Sequence, residues 1–227
     1  MPRLLAIFNK NKKIYIGVLF FVLTFLIYGK TLSGDFVFDD RYIASNSQTF
    51  RLENFINLIT SPYLSRESGL YRPVTILSYA VNYSLFGENP WSFHLINLIF
   101  YAWSIYLIFI LIKKLTQKET WAFLSGLLFL VLPIHSEAVA NIIGRAEILA
   151  LFFSLLFLGE IINKKPKVWL AGFWLFLALG SKETAAAAIP IALVLFLQKN
   201  TGLKYKDWLK IFGGGFIYFG ARLQVLN

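Results

Sequence analysis

Long apolar blocks alternate along this chain with short polar or lysine-rich stretches. About 20 apolar residues make a helix long enough to cross the hydrocarbon layer, and the blocks predict an all-α, polytopic membrane helical bundle of about seven transmembrane segments. They lie near 14–29, 91–112, 121–134, 146–162, 168–180, 184–198 and 209–227. Lys10, Lys12 and Lys13 precede the first block, and no small-residue cleavage site follows it, so it reads as an uncleaved anchor. The third is short and meets Pro133. The fifth and sixth are separated only by Gly180-Ser181-Lys182-Glu183-Thr184. One long tilted helix would put the lysines before and after this pair on opposite faces, whereas a hairpin keeps them together, as positively charged loops prefer.

Residues 30–90 form a long external segment between the first two blocks. Leu52, Phe55, Ile56 and Ile59 recur at helical spacing, as do Leu77, Ala80, Val81 and Leu85. Neither stretch is apolar enough to span. Both fit amphipathic helices lying in the membrane interface, and Pro73 suits the first turn of the second. The whole of 1–227 reads as one membrane domain.

Charge assigns the faces. The stretches 1–13, 113–120, 160–167 and 198–210 carry 14 of the 22 Lys and Arg residues but 3 of the 12 acids. This asymmetry places the N-terminus and those stretches in the cytoplasm and the 30–90 segment on the external or lumenal side. The net charge of +10 is therefore topological information and no sign of nucleic-acid binding. Composition agrees with a multi-pass integral membrane protein: 57% apolar, 18% aromatic, only 15% charged, and a mean hydropathy of +0.63. There is no cysteine, which excludes disulfides, thiolate metal sites and a cysteine nucleophile, and two histidines are too few for a histidine-built zinc site.

The candidate chemistry gathers on the external face. Gly34-Asp35-Phe36-Val37-Phe38-Asp39-Asp40 carries an acidic pair just beyond the anchor. Tyr71-Arg72-Pro73, His94 with Asn97, His135-Ser136-Glu137, Gly144-Arg145-Ala146-Glu147, Ser181-Lys182-Glu183 and Arg222 fall on the same side. Each has an ordinary reading as a charged turn, a helix-side ion pair, a cap or a snorkelling arginine. Charges at membrane depth are costly, and together they suit a wet cavity. A carboxylate beside cations at a membrane face fits group transfer from a lipid-linked phosphate. The cations would hold the phosphate as it leaves, and the carboxylate would deprotonate an acceptor hydroxyl.

These motifs, with Phe86-Gly87-Glu88-Asn89-Pro90-Trp91-Ser92-Phe93-His94-Leu95-Ile96-Asn97 and Leu132-Pro133-Ile134-His135-Ser136-Glu137-Ala138-Val139, appear in an order that resembles the GT-C superfamily of membrane glycosyltransferases. The chain looks most like the protein O-mannosyltransferase-related group that carries TPR repeats after its membrane domain. The resemblance implies that Asp39 and Asp40 act in catalysis, without deciding which is the base. It implies a polyprenyl-phosphate sugar donor, commonly mannose, and a hydroxyl acceptor, protein or glycan. Arg72 is the first choice to hold the phosphate, followed by Arg145 and Lys182. His135 and Glu137 would line the cavity, and His94, Glu147, Glu183 and Arg222 complete the substrate-binding set. No metal and no cofactor is assigned beyond the lipid-linked donor, although the carboxylates could take a divalent cation. The chain ends at Asn227 without a 34-residue helical repeat, which reads as a C-terminal truncation relative to the family.

Two other readings stay open. One is a non-catalytic membrane fragment or scaffold that binds lipid phosphate or a partner subunit. The other is a small transporter, against which stands the lack of an evident inverted repeat.

Overall fold

The computed structural model describes residues 2–45, 50–63 and 69–226, with side chains from Lys12 onward. Residues 46–49 and 64–68 of the expected external segment lie outside this set. The ordered elements among the described residues are all helices, joined by turns and irregular stretches, and none of these residues forms a strand.

The helices are α1 (Pro2–Tyr28), α2 (Asp40–Ser45), α3 (Phe55–Thr60), α4 (Pro73–Phe86), α5 (Pro90–Thr116), α6 (Glu119–Val131), α7 (Ser136–Ala140), α8 (Arg145–Ile161), α9 (Val168–Ser181), α10 (Ala188–Leu197) and α11 (Tyr205–Leu226). Short 3₁₀ turns extend or join them at Gly29–Ser33, Leu52–Asn54, Pro133–His135 and Glu183–Ala187. Local chemistry sets several of these boundaries. Prolines open α4 and α5, where a missing N–H costs nothing. Gly87 at φ +67° and Gln117 at φ 57° close them in the left-handed region.

Neighbours in sequence are largely neighbours in space. α5 packs against α1, α6 and α8, then α8 against α9 and α9 against α11. One apolar core joins α1, α5 and α6 around Phe20, Tyr101, Ile105 and Phe109. Another joins α8, α9, α10 and α11 around Phe157, Leu175, Ala192 and Ile211. A third centres on the 30–90 segment, where Ile43, Phe50, Tyr79 and Tyr83 pack with Phe93 of α5. Close backbone approach binds these layers. A Cβ on Gly126 would come within 2.7 Å of the Phe20 ring.

The span count differs from the expected seven. Two helical stretches, Lys12–Ser33 and Pro90–Thr116, are long and apolar enough to cross a membrane. A third results if Glu119–Val131 and Pro133–Ala140 count as one span bent by 55°. The bend sits at Pro133, which cannot continue the helix of α6. Val168–Ser181 and Glu183–Leu197 are apolar but shorter. α8 has 17 residues, and α11, with Lys206, Asp207, Lys210 and Arg222, is long but less apolar.

α4 is also turned relative to its apolar stripe. Its buried face is Thr75, Ile76, Tyr79, Ala80, Asn82 and Tyr83, while Val81 and Leu85 are 45% and 69% exposed. Buried partners for its polar and aromatic residues outweigh burial of the aliphatic stripe. Of that stripe Val81 and Leu85 are left outward, as are Leu52, Phe55 and Ile56 near α3, while Ala80 is buried and Leu77 packs against the core. Outward aliphatic faces suit an interfacial position.

Candidate functional site

The backbone after α1 places two adjacent carboxylates in different surroundings, one buried and one accessible. Phe38 sits at φ 47°, a strained conformation for a bulky residue. Turn hydrogen bonds hold the kink: Asp40 N–H donates to Val37 O at 2.9 Å, and Tyr42 N–H to Asp39 O at 3.1 Å. Asp40 is fully buried. Its Oδ2 and Oδ1 accept the backbone N–H groups of Ile142 and Ile143 at 3.1 and 2.7 Å. Asp39 stays accessible and lines a cavity of about 320 Å³.

That cavity brings together Asp39, Arg72, Glu137, Glu147 and Lys182, with Tyr63 and Asn141 in its wall. Five of the eleven residues singled out from the sequence thus share one space. They come from the turn preceding α2, the segment before α4, α7, α8 and the turn after α9. Lys182 pairs with Glu147. Arg72 donates from Nε and Nη2 to Glu183 Oε2 at 3.1 and 2.9 Å, and its guanidinium lies over the Tyr63 ring, 5.0 Å from the centroid. Glu183 also accepts from Arg222 Nη1 at 3.1 Å, and Arg222 Nη2 donates to Gly69 O at 3.2 Å. Glu183 and Arg222 therefore stand behind Arg72 and hold it from outside the cavity.

Arg145 does not face the cavity. It is fully buried and satisfies four acceptors: Asn97 Oδ1 at 2.8 Å, Asn82 Oδ1 at 2.8 Å, Phe93 O at 2.9 Å and Ser78 O at 3.2 Å. The rings of Tyr79 and Phe93 flank it at 4.7 and 5.3 Å. All four acceptors are neutral, so this cation is a hub joining α4, α5 and α8. Asn97 Nδ2 and Tyr79 Oη donate in turn to the carbonyl of Ile142. The same turn thus receives Asp40 from one side and the Arg145 network from the other. Gly144 is obligatory there, because a Cβ would lie 2.1 Å from the carbonyl oxygen of Ala138.

The histidines lie elsewhere. His94 is buried near the start of α5 against Gly34, whose Cβ would come within 3.2 Å of its Nε2. Among the described residues neither ring nitrogen of His94 has a hydrogen-bond partner. His135 stacks on Phe129, with ring centroids 4.0 Å apart. Its neighbours Ile134 and Glu137 reach the cavity instead. No group of three or more His, Cys, Asp or Glu side chains among the described residues is placed to hold a metal ion.

Tyr63, Tyr79 and Asn82 escaped the sequence reading. Burial pushes the Tyr63 phenol up to about 12, against the opposing effects of Tyr79 and Arg72. It therefore stays neutral beneath Arg72. Asn82 interrupts an apolar helix, a signal that could have found it.

A larger cleft of about 750 Å³ adjoins on the far side of the 71–73 segment. Tyr71, Pro73, Val74, Leu77, Phe176 and Val225 line it. Tyr71 is fixed there by stacking on Tyr218, whose hydroxyl donates to Tyr71 O at 3.0 Å.

Comparison with known proteins places this geometry in a family. Residues 72–220 match the family described as dolichyl-phosphate-mannose-protein mannosyltransferase. Among similar proteins, the Xenopus laevis protein O-mannosyl-transferase tmtc2 is 29% identical over 87% of this chain and 28% of its own length. Human protein O-mannosyl-transferase TMTC1 is 32% identical over 85% of the chain and 22% of its own. Human TMTC3 is 34% identical over 63% of the chain and 14% of its own. The chain thus spans less than a third of the length of these relatives. No solved structure matches. The matched segment contains Arg72, Glu137, Glu147 and Lys182 of the cavity and the entire Arg145 hub, and the chain belongs to the dolichyl-phosphate-mannose-protein mannosyltransferase family.

Proposed function

We propose that this chain carries the catalytic face of a membrane glycosyltransferase that moves a sugar, mannose by analogy with the relatives' names, from a polyprenyl-phosphate donor to a hydroxyl. A protein Ser or Thr is the acceptor that those names suggest. In this reading the chain crosses the membrane about seven times, its shorter helices met by local thinning of the bilayer and snorkelling of flanking residues. The N-terminus is cytoplasmic and the cavity opens on the external or lumenal side.

One observation carries the proposal: Asp39 shares a small cavity with Arg72 and Lys182, while Asp40 is committed to the backbone of residues 142–143. Asp39 is the base. It takes the proton of the acceptor hydroxyl as the oxygen attacks the anomeric carbon. The bond from that carbon to the phosphate oxygen breaks, and its electron pair leaves with the polyprenyl phosphate. Attack opposite the leaving group inverts the anomeric centre. Arg72 and Lys182 stabilise the charge gathering on the phosphate. Glu183 and Arg222 orient Arg72, and Tyr63 supports it from below. The reading needs no cofactor beyond the lipid-linked donor.

The test is transfer from a polyprenyl-phosphate mannose to a Ser/Thr peptide by the purified chain in lipid, beside Asp39→Asn and Asp40→Asn. A general base contributes about 10²- to 10⁴-fold, and Asp39→Asn is expected to lose transfer on that scale with folding intact. Transfer by Asp39→Asn equal to that of the parent chain would reject the mechanism.

A further inference from the structure

A third concavity lies well away from the charged cavity. It is a trough of about 1070 Å³ over the outer face of α5, walled by α1 on one side and by α8 and α9 on the other. Gly17, Val18 and Phe21 form one wall, Trp103 the floor, and Phe152 and Trp174 the other wall. α1 closes down on α5 at Gly17, where a Cβ would meet the Tyr106 ring at 3.3 Å. The aromatic side chains hold one another in place: Phe21 with Trp103 at 6.5 Å, Trp103 with Phe152 at 6.0 Å, and Phe153 with Trp174 at 6.0 Å. Among the described residues no charged side chain lines the trough.

Charge appears at one end only. The trough begins at Ile14, directly after Lys12 and Lys13. The last turn of α5 brings Lys113 and Lys114 to the same end. Glu119 takes two of the four, Lys12 and Lys113, each at 2.6 Å. Among the described residues Lys114 donates to neutral oxygens, Gly159 O at 3.4 Å and Asn163 Oδ1 at 2.9 Å. Lys13 is exposed. The nearby Glu160 is occupied by Asn163 Nδ2 and the backbone N–H of Lys167. The far end, near Val22 and Phe100, reaches none of the ionisable residues of the charged cavity.

We infer that this trough is a binding site for a glycerophospholipid with an anionic headgroup. Its acyl chains lie along Val18, Phe21, Trp103 and Phe152, and its phosphate meets Lys13 and Lys114. The occupant must be apolar along most of its length and anionic at one end. A transmembrane helix would supply the first property but not the terminal negative charge selected by an exposed Lys13 and by a Lys114 that meets neutral oxygens. The site belongs to the leaflet beside the lysines, so it is separate from the donor, whose phosphate is placed at the opposite face.

The test is lipid retention by the full chain in detergent, read by native mass spectrometry, after exchange with dioleoyl-phosphatidylglycerol or dioleoyl-phosphatidylcholine. The chains of the two lipids are identical, so the comparison isolates the headgroup. At least one phosphatidylglycerol is expected to remain bound under conditions that strip phosphatidylcholine. Lys13→Gln with Lys114→Gln is expected to weaken retention by roughly fivefold per lysine. Brominated phosphatidylglycerol is expected to quench tryptophan fluorescence, and Trp103→Phe to lower that quenching, with Trp174 in the opposite wall carrying the remainder. Val18→Trp, which fills the trough, is expected to lower retention of either lipid. Equal retention of both lipids, unchanged phosphatidylglycerol retention in the double-lysine variant, or quenching indifferent to Trp103→Phe would each overturn the inference. The lysine variants leave the apolar packing untouched, so their result stands whether or not Val18→Trp folds.

Discussion

Arg72 and Glu183, 111 positions apart, meet through two hydrogen bonds to a single carboxylate oxygen, at 3.1 and 2.9 Å. The other oxygen of Glu183 is held by Arg222. One acid therefore fixes two arginines, and it joins the segment before α4 to the turn after α9 and to the end of α11. Removing the carboxylate leaves Arg72 neither oriented nor neutralised. Glu183→Gln is expected to raise the donor KM about tenfold while kcat changes less, and to lower stability by about 1–2 kcal/mol, since the pair is only partly buried. Transfer kinetics and a thermal melt in detergent would check both.

The two aspartates are expected to separate by phenotype. Asp40→Asn keeps one acceptor oxygen but turns an NH₂ toward a backbone N–H, which costs about 1–3 kcal/mol. Its thermal midpoint is expected to fall by several degrees, whereas Asp39→Asn melts within a degree or two of the parent chain. Equal melting of the two variants would contradict the division of roles.

Arg145 is expected to be the least replaceable cation in the chain. Arg145→Met would strand the side-chain oxygens of Asn82 and Asn97 and the carbonyls of Ser78 and Phe93. Leaving a buried acceptor unsatisfied costs about 1–3 kcal/mol for each group. Loss of monodisperse protein on size exclusion is the expected readout. Arg72→Met, by contrast, is expected to yield folded but poorly active protein.

Gly144→Ala should behave like Arg145→Met in kind. The added methyl would collide with a backbone carbonyl 2.1 Å away, which no side-chain rotation relieves. The turn that carries the two N–H groups for Asp40 must then shift, and a loss above about 2 kcal/mol is expected in the same melt.

Alkaline pH offers a further check. Burial pushes Tyr63 up to about 12, and Tyr83 is likewise pushed to about 12 by burial with a contribution from Glu88. Both folded-state values exceed the ordinary phenol value near 10, so folding favours the protonated form. That stabilisation is complete below pH 10 and is lost as pH rises from 10 toward 12. The thermal midpoint is expected to fall steeply across that window, and Tyr63→Phe to flatten the fall. Ultraviolet titration of the phenols would report the same values directly.

Much of the helical layout was legible because apolar block length is a direct membrane constraint. The Lys12–Ser33 and Pro90–Thr116 helices, the break at Pro133 and the turn at Lys182-Glu183 all follow from local composition. The face of α4 was not legible, since Tyr79, Asn82 and Tyr83 are buried by partners from α5, α8 and α2 that no periodicity reveals. Nor was the split of Asp39 from Asp40. Adjacent residues diverge there because Phe38 adopts a left-handed backbone and because residues 142–143, a hundred positions away, offer two unsatisfied N–H groups. Arg145 looked like a phosphate ligand for the same reason: its four neutral acceptors lie on elements distant in sequence. Charge alone marked the cavity's neighbourhood, and tertiary contacts decided which charges enter it.

The 71–73 segment acts as a partition. Arg72 faces the charged cavity, whereas Tyr71 and Pro73 face the larger cleft on the other side. A molecule with a phosphate at one end and hydrocarbon at the other would have to saddle this three-residue ridge, its two halves sorted by solvent. Under the proposed donor placement the ridge would work as a ruler, and inserting a single residue into it would throw head and tail out of step even with every ionisable group still in place.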